Sequence, residues 1–300
     1  MDVFGFLNLN ELALGLSNIS MFPCFDIAHY IISVMSLREQ PGALEVSQRS
    51  PFACWFSSML YCFGGAVLSA LMLADAPVTP LTNTSNLLLA SLMWYLVFYC
   101  PLDAVYSLAS VLPVRLVLTA MKEVTRTWKV LGGVTQAGRK YKDGLFVMIA
   151  VGWAKGAGGG LLRNFEQLVR GVWRPETNEL LKMTYPTKVT LLGSVVFSLQ
   201  QCHFLPIQTH HLIFIYTLFI VTNKTQMMLL GSSSYPFSAV ETLLYKTLFV
   251  RPLTFSPLND PTPSCCSSPN HNKPKDQKPS GTNELDQTKP EDTETTKKMD

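Results

Sequence analysis

Hydrophobic residues along this chain gather into blocks close to the roughly 20 residues that a helix needs to cross a bilayer. Three blocks are plain, at about Ser17 to Leu37, Phe52 to Leu73 and Leu87 to Tyr106. Four more follow at Val114 to Gly138, Gly144 to Leu168, Thr184 to Phe204 and Leu212 to Leu230. Of these, the first two are polar or glycine-rich and score weakly on hydropathy. Between blocks lie short hydrophilic connections marked by Pro41-Gly42, by Pro77 with Pro80, and by Pro175, none of which suits hydrocarbon. The pattern predicts an all-α polytopic membrane protein with seven transmembrane helices, filling residues 1–251. From about Pro252 prolines alternate with Ser, Thr, Lys and Glu, which predicts a disordered cytosolic tail over 252–300.

An internal repeat emerges when Gly64-Gly65 is laid on Gly158-Gly159, an offset of about 94 residues. The first span then falls on the fourth and the third on the sixth. Each unit holds three spans, so the second copy enters the membrane inverted. Repeat one covers about 17–106 and repeat two about 114–204, leaving the seventh helix, about 212–230, outside. Such 3+3 repeats build transporters and some channels; chance likeness between glycine-rich helices is the alternative. Lysine and arginine set the orientation. One side of the membrane carries Arg38, Arg49, Arg115, Arg170, Arg174, Lys182, Lys188, Lys246 and Arg251, whereas the other holds Arg139, Lys140 and Lys142. This predicts a lumenal N-terminus and a cytosolic C-terminus. Asn83-Thr84-Ser85 is a sequon in a short lumenal loop, expected to stay unmodified.

Composition narrows the classes. The chain is 48% hydrophobic and only 15% charged, against about 25% charged in soluble proteins. A net charge of +3 without basic and aromatic interleaving gives no reason to expect nucleic acid as a partner. Cys24, Cys54, Cys62, Cys100 and Cys202 sit in apolar stretches and read as buried thiols, and Cys265-Cys266 in the tail is either palmitoylated or a pair of free thiols. No basic region precedes the first apolar run, so that span is expected to serve as its own targeting signal. There is no HExxH, nucleophile elbow or phosphate loop, and His203, His210 and His211 read as interfacial. Neither enzymatic activity nor a catalytic residue is expected.

Charges inside the predicted spans carry the functional signal. Lys122, Arg126 and Lys129 fall within roughly a 60° arc of the fourth helix. Each would cost about 2.5 to 3.5 kcal/mol at the centre of a lipid-exposed helix, so something aqueous or anionic must meet that face. The fifth span reads Gly152-Trp153-Ala154-Lys155-Gly156-Ala157-Gly158-Gly159-Gly160, a run that serves close helix packing, a kink beside a polar path, or both. Lys155 and Glu166 would share one polar stripe. Asp26 and His29, three residues apart on the first span, are either gating groups or a hydrogen-bonded helix contact. Asp75, at the lumenal end of the second span, is either a cation contact or a solvated loop acid.

At Lys122-Glu123-Val124 with Arg126 and Lys129, and at Lys155 to Gly160, the chain resembles the trimeric intracellular cation (TRIC) channels. The likeness extends from about Met1 to Pro252, and residues 122–170 look most like the type A member. It implies a homotrimer with one ion path per protomer, in endoplasmic or sarcoplasmic reticulum and in nuclear membrane. It further implies potassium current that balances charge during calcium release, with functional coupling to calcium-release channels. No cofactor is implied beyond a bound phosphoinositide or other anionic membrane lipid, carried over onto Lys122, Arg126 and Lys129 with Gly158, Gly159 and Gly160. Pore and gating candidates are Lys129, Glu123, Lys155 and Asp26, with Gly64 and Gly65 at a kink, and Lys129 is the first choice for sensor or gate. A lysine-lined pore would repel potassium, so anionic headgroups or Glu123 and Asp26 must offset the field. A secondary transporter on the same inverted repeat is the alternative.

Overall fold

A computed structural model of the protein describes residues 9–142, 144–231, 242–243 and 245–249; the expected tail, with Cys265-Cys266, lies outside the described residues. The described residues open with a short helix α1 (Leu9–Ser17) and continue in α2 (Cys24–Arg38), so the predicted first span is interrupted before Pro23. A short helix, α3 (Ala43–Arg49), leads to α4 (Pro51–Met72), which starts where Ser50 accepts a hydrogen bond from the Ala53 amide and Pro51 gives up no needed donor. Asn83, the sequon residue, caps α5 (Thr84–Tyr99) in the same way.

The predicted third span is not one helix. Pro101 has no N–H to offer the Val97 carbonyl four residues earlier, and the chain turns by 97° into α6 (Ala104–Ser110). Leu102 and Asp103 both take positive φ at the bend. Arg38 from the end of α2 repairs the break: its guanidinium donates to the Val97 carbonyl oxygen and to Asp103 at 2.8 Å, and lies 4.2 Å from the Tyr106 ring centre. Hydropathy runs on through Leu102 and Val105, whereas the backbone hydrogen-bond ladder cannot.

Helix α7 (Leu112–Lys140) carries the basic face and runs unbroken for 29 residues. After it come α8 (Leu145–Leu161), α9 (Arg163–Val169), α10 (Tyr185–Gln201) and α11 (Thr209–Leu230). The expected polar stripe from Lys155 to Glu166 ends at the break after Leu161. Glu166 is buried on α9 against Arg170 (2.5 Å), which also donates to the Pro41 carbonyl at 3.1 Å.

Helix α8 sits at the centre, against α4, α7 and α10. Small residues allow it. A Cβ on Gly65 of α4 would clash with the Lys155 carbonyl oxygen, and one on Gly158 with the Gly65 backbone. Towards α7, a Cβ on Gly133 would lie 2.9 Å from the Gly152 Cα; towards α10, one on Gly156 would lie 2.5 Å from Thr190. The spacing of Gly152 and Gly156 thus serves packing, as the small-xxx-small pattern requires where lipid supplies no hydrophobic drive. Buried apolar residues form two clusters. One joins α2, α4, α5 and α6, for example through Val34, Cys62 and Val97; the other joins α7, α8, α10 and α11 through Val130, Val151 and Phe197.

Outward surfaces are apolar, with Phe146 81% exposed, Leu88 65% and Leu218 58%, while Ser58, Thr127, Thr190 and Ser194 are buried. That inversion suits a lipid surround. Among the described residues, α4, the Leu145–Val169 run and α11 are long and apolar enough to cross a membrane, and the bent α5–α6 pair adds a fourth if taken as one span. The fold is helical, without strands among the described residues, and fits a polytopic membrane protein.

Candidate functional site

The three cations of α7 do share one surface, and they face an internal cavity of about 290 Å³. Its walls come from five parts of the chain. Helix α7 supplies Lys122, Arg126 and Lys129; α2 supplies His29; α4 supplies Cys62 and Gly65; α8 supplies Lys155, Gly159 and Gly160. Glu179, from the connection before α10, closes the last side with Thr184 and Thr187.

Each charge is held differently. The Lys129 ammonium lies 2.6 Å from His29 Nε2, and that nitrogen lies 3.2 Å from the Cys62 carbonyl oxygen. Arg126 pairs with Glu123, one turn back, whose side chain is 2% exposed. Lys155 donates to Gln136 Oε1 at 3.0 Å. Glu179 is spent on structure: its carboxylate accepts from the Thr184 amide at 2.9 Å and from the hydroxyls of Thr184 and Thr187 at 2.9 Å, capping α10. A Cβ on Gly160 would stand 3.3 Å from that carboxylate, so the glycine makes room for the cap.

Five cations line the cavity, counting Arg163, against the single carboxylate of Glu179. Water or a multiply charged anion is what such a space accommodates.

Of the residues singled out in the sequence, Lys122, Arg126, Lys129, Lys155, Gly65, Gly159 and Gly160 come together at this cavity. Gly158 and Gly64 are engaged instead in the α4–α8 contact. Glu123 holds Arg126 from beneath the lining. Asp26 is half-buried on α2, one turn before His29; His29 is the residue that meets Lys129. Asp75 lies apart, 3.0 Å from Lys140, which also donates to the Leu73 carbonyl. Among the described residues no group of three or more His, Cys, Asp or Glu is placed to hold a metal ion. Sequence reasoning missed Glu179. An acid five residues before Thr184 and eight before Thr187, ahead of a helix, was the available signal.

Residues 40–231 match the TRIC channel family. The chain is 85% identical over 254 residues to the trimeric intracellular cation channel type B of Danio rerio, covering 85% of this chain and 88% of that one. Against the type A channel of the same organism the identity is 47% over 253 residues, covering 84% and 86%. The expected likeness to type A therefore gives way to type B. A solved structure from work on TRIC counter-ion channels in calcium release superposes with a TM-score of 0.72 at 58% identity, covering 74% of this chain and 99% of that one.

Proposed function

The chain belongs to the TRIC channel family, and from that premise we propose that it is a homotrimeric, potassium-permeable counter-ion channel of endoplasmic or sarcoplasmic reticulum, with the nuclear membrane as a further location. Its current balances charge when calcium is released or taken up, which couples it functionally to calcium-release channels. The observation that carries this reading is the cavity of about 290 Å³ inside one protomer, bounded by the basic face of α7 and the glycine segment of α8. A path within the protomer follows, and the chemistry is passive.

Seven spans complete the layout: α1–α2, α4, α5–α6, α7, α8–α9, α10 and α11. Two features favour an inverted 3+3 repeat. Gly64-Gly65 meets Gly158-Gly159 at a reciprocal crossing of the two helices, and the apolar core divides into one cluster on α2, α4, α5 and α6 and another mainly on α7, α8, α10 and α11. The excess of lysine and arginine on one side supports a lumenal N-terminus and a cytosolic C-terminus. An anionic membrane lipid, a phosphoinositide foremost, is the ligand that the cavity suits: its headgroup would pair with Lys122, Arg126 and Lys129 beside Gly159 and Gly160, and would lower the positive field that potassium meets.

The reciprocal glycine crossing also fits a secondary transporter. Purified protein in planar bilayers decides between them. The channel reading expects stepwise unitary currents that need no co-substrate gradient; saturable, gradient-coupled uptake without unitary steps would replace it with the transporter.

A further inference from the structure

Two histidines stand outside the cavity lining, at the start of α11. Asn10 of α1 reaches both of them. Its Oδ1 lies 3.2 Å from His210 Nε2 and 3.1 Å from His211 Nε2, and the two imidazole ring centres are 4.2 Å apart. Consecutive residues on a helix ordinarily point about 100° apart and do not face each other, so their convergence on one oxygen is not given by sequence adjacency. It arises where α1 packs on α11. Asn10 is exposed and both histidines are half-buried, which leaves the point open to solvent.

Hydrogen bonding is one use of this arrangement. An amide oxygen has two lone pairs and accepts from both rings when each carries its proton on Nε2. The same spacing also matches a metal's coordination shell. Ligand atoms held tetrahedrally at about 2.0 to 2.1 Å from zinc stand about 3.3 Å from one another, close to both distances here. With the ring protons on Nδ1 instead, both Nε2 atoms present lone pairs. Imidazole nitrogen suits zinc, copper and nickel, whereas calcium and magnesium take shells of oxygen.

We infer that His210, His211 and Asn10 form a binding site for a divalent transition-metal ion of the zinc class, with water as the fourth ligand, and that the ion clamps α1 to α11. The site is separate from the basic cavity and does not rest on the channel reading. Its three ligands come together only in the folded chain, so a bound ion stabilises the docking of α1 by mass action.

Titration calorimetry of tag-free, full-length protein in detergent with zinc chloride tests the site. One saturable ion per protomer is expected, and excess calcium chloride is expected not to compete. His210→Gln and His211→Gln should each weaken that binding by about tenfold or more, whereas Asn10→Asp should strengthen it, because a carboxylate replaces a neutral oxygen. Zinc should raise the melting temperature of the unmodified protein and leave that of His210→Gln in place. Cobalt chloride gives a second readout: nitrogen and oxygen ligands produce visible d–d absorption without the near-ultraviolet thiolate band that binding to the chain's cysteines would add. Absence of saturable zinc binding overturns the inference, as does binding that survives the combined His210→Gln and His211→Gln change or that carries the thiolate band. Size-exclusion chromatography separates a misfolded variant from a folded one. If the histidine variants do not assemble, Asn10→Asp carries the test, and an affinity unchanged from that of the unmodified protein overturns the site.

Discussion

Gly65→Val is expected to abolish recovery of folded, assembled protein. Its Cβ would fall on the Lys155 carbonyl oxygen and within 3.3 Å of the Ala154 carbonyl oxygen. Both are backbone atoms of a helix packed on three sides, so neither can yield as a side-chain tip would. The cost lies at or beyond the upper end of the roughly 1 to 3 kcal/mol of ordinary overpacking. It is exacted where α4 and α8 cross. Gly15→Ala is the control, since nothing lies within 4 Å of a Cβ there and alanine favours a helix by about 1 kcal/mol over glycine. Thermal unfolding followed by fluorescence-detected size exclusion reads both. A Gly65→Val trimer as heat-stable as the unmodified one would show that α4 and α8 do not pack as described.

The second large effect is on gating. Lys129→Gln is expected to weaken the voltage dependence of open probability, because a full charge carried through 100 mV is worth about 2.3 kcal/mol. Lys129 is the α7 cation that reaches across to another helix, and its contact with His29 is with a group that accepts or donates according to its tautomer. No carboxylate ion pair anchors it, unlike Arg126 on Glu123, so it is freer to move than Arg126. Open probability against voltage, from single-channel records, checks this. An unchanged slope would remove Lys129 from the sensor role.

How far the sequence reaches can be judged from these residues. The helices were legible because polar, turn-rich connections interrupt apolar runs, and the basic face of α7 because three charges at helical spacing stand out against hydrocarbon. The pairing of Gly64-Gly65 with Gly158-Gly159 was legible as similarity, though only the structure brings the two pairs into contact. Contacts that depend on register between distant helices were not legible. Lys129 and His29 are 100 residues apart, and nothing local favours His29 over Asp26 as the partner. Glu123 lies three residues from Arg126, a spacing open to inspection, yet packing alone decides that it sits under the cavity wall. The bend after α5 was hidden for another reason: hydropathy counts side chains, whereas Pro101 acts through a missing N–H.

We propose a passive cation path inside each protomer, in a cavity whose charged side chains are mostly positive. The reversal potential of the purified protein in planar bilayers, under a potassium chloride gradient and then with sodium replacing potassium on one side, tests that claim most directly. A reversal potential near the potassium equilibrium value in the potassium chloride gradient is the predicted result. One on the chloride side of zero, as the five lining cations alone would dictate, would contradict it.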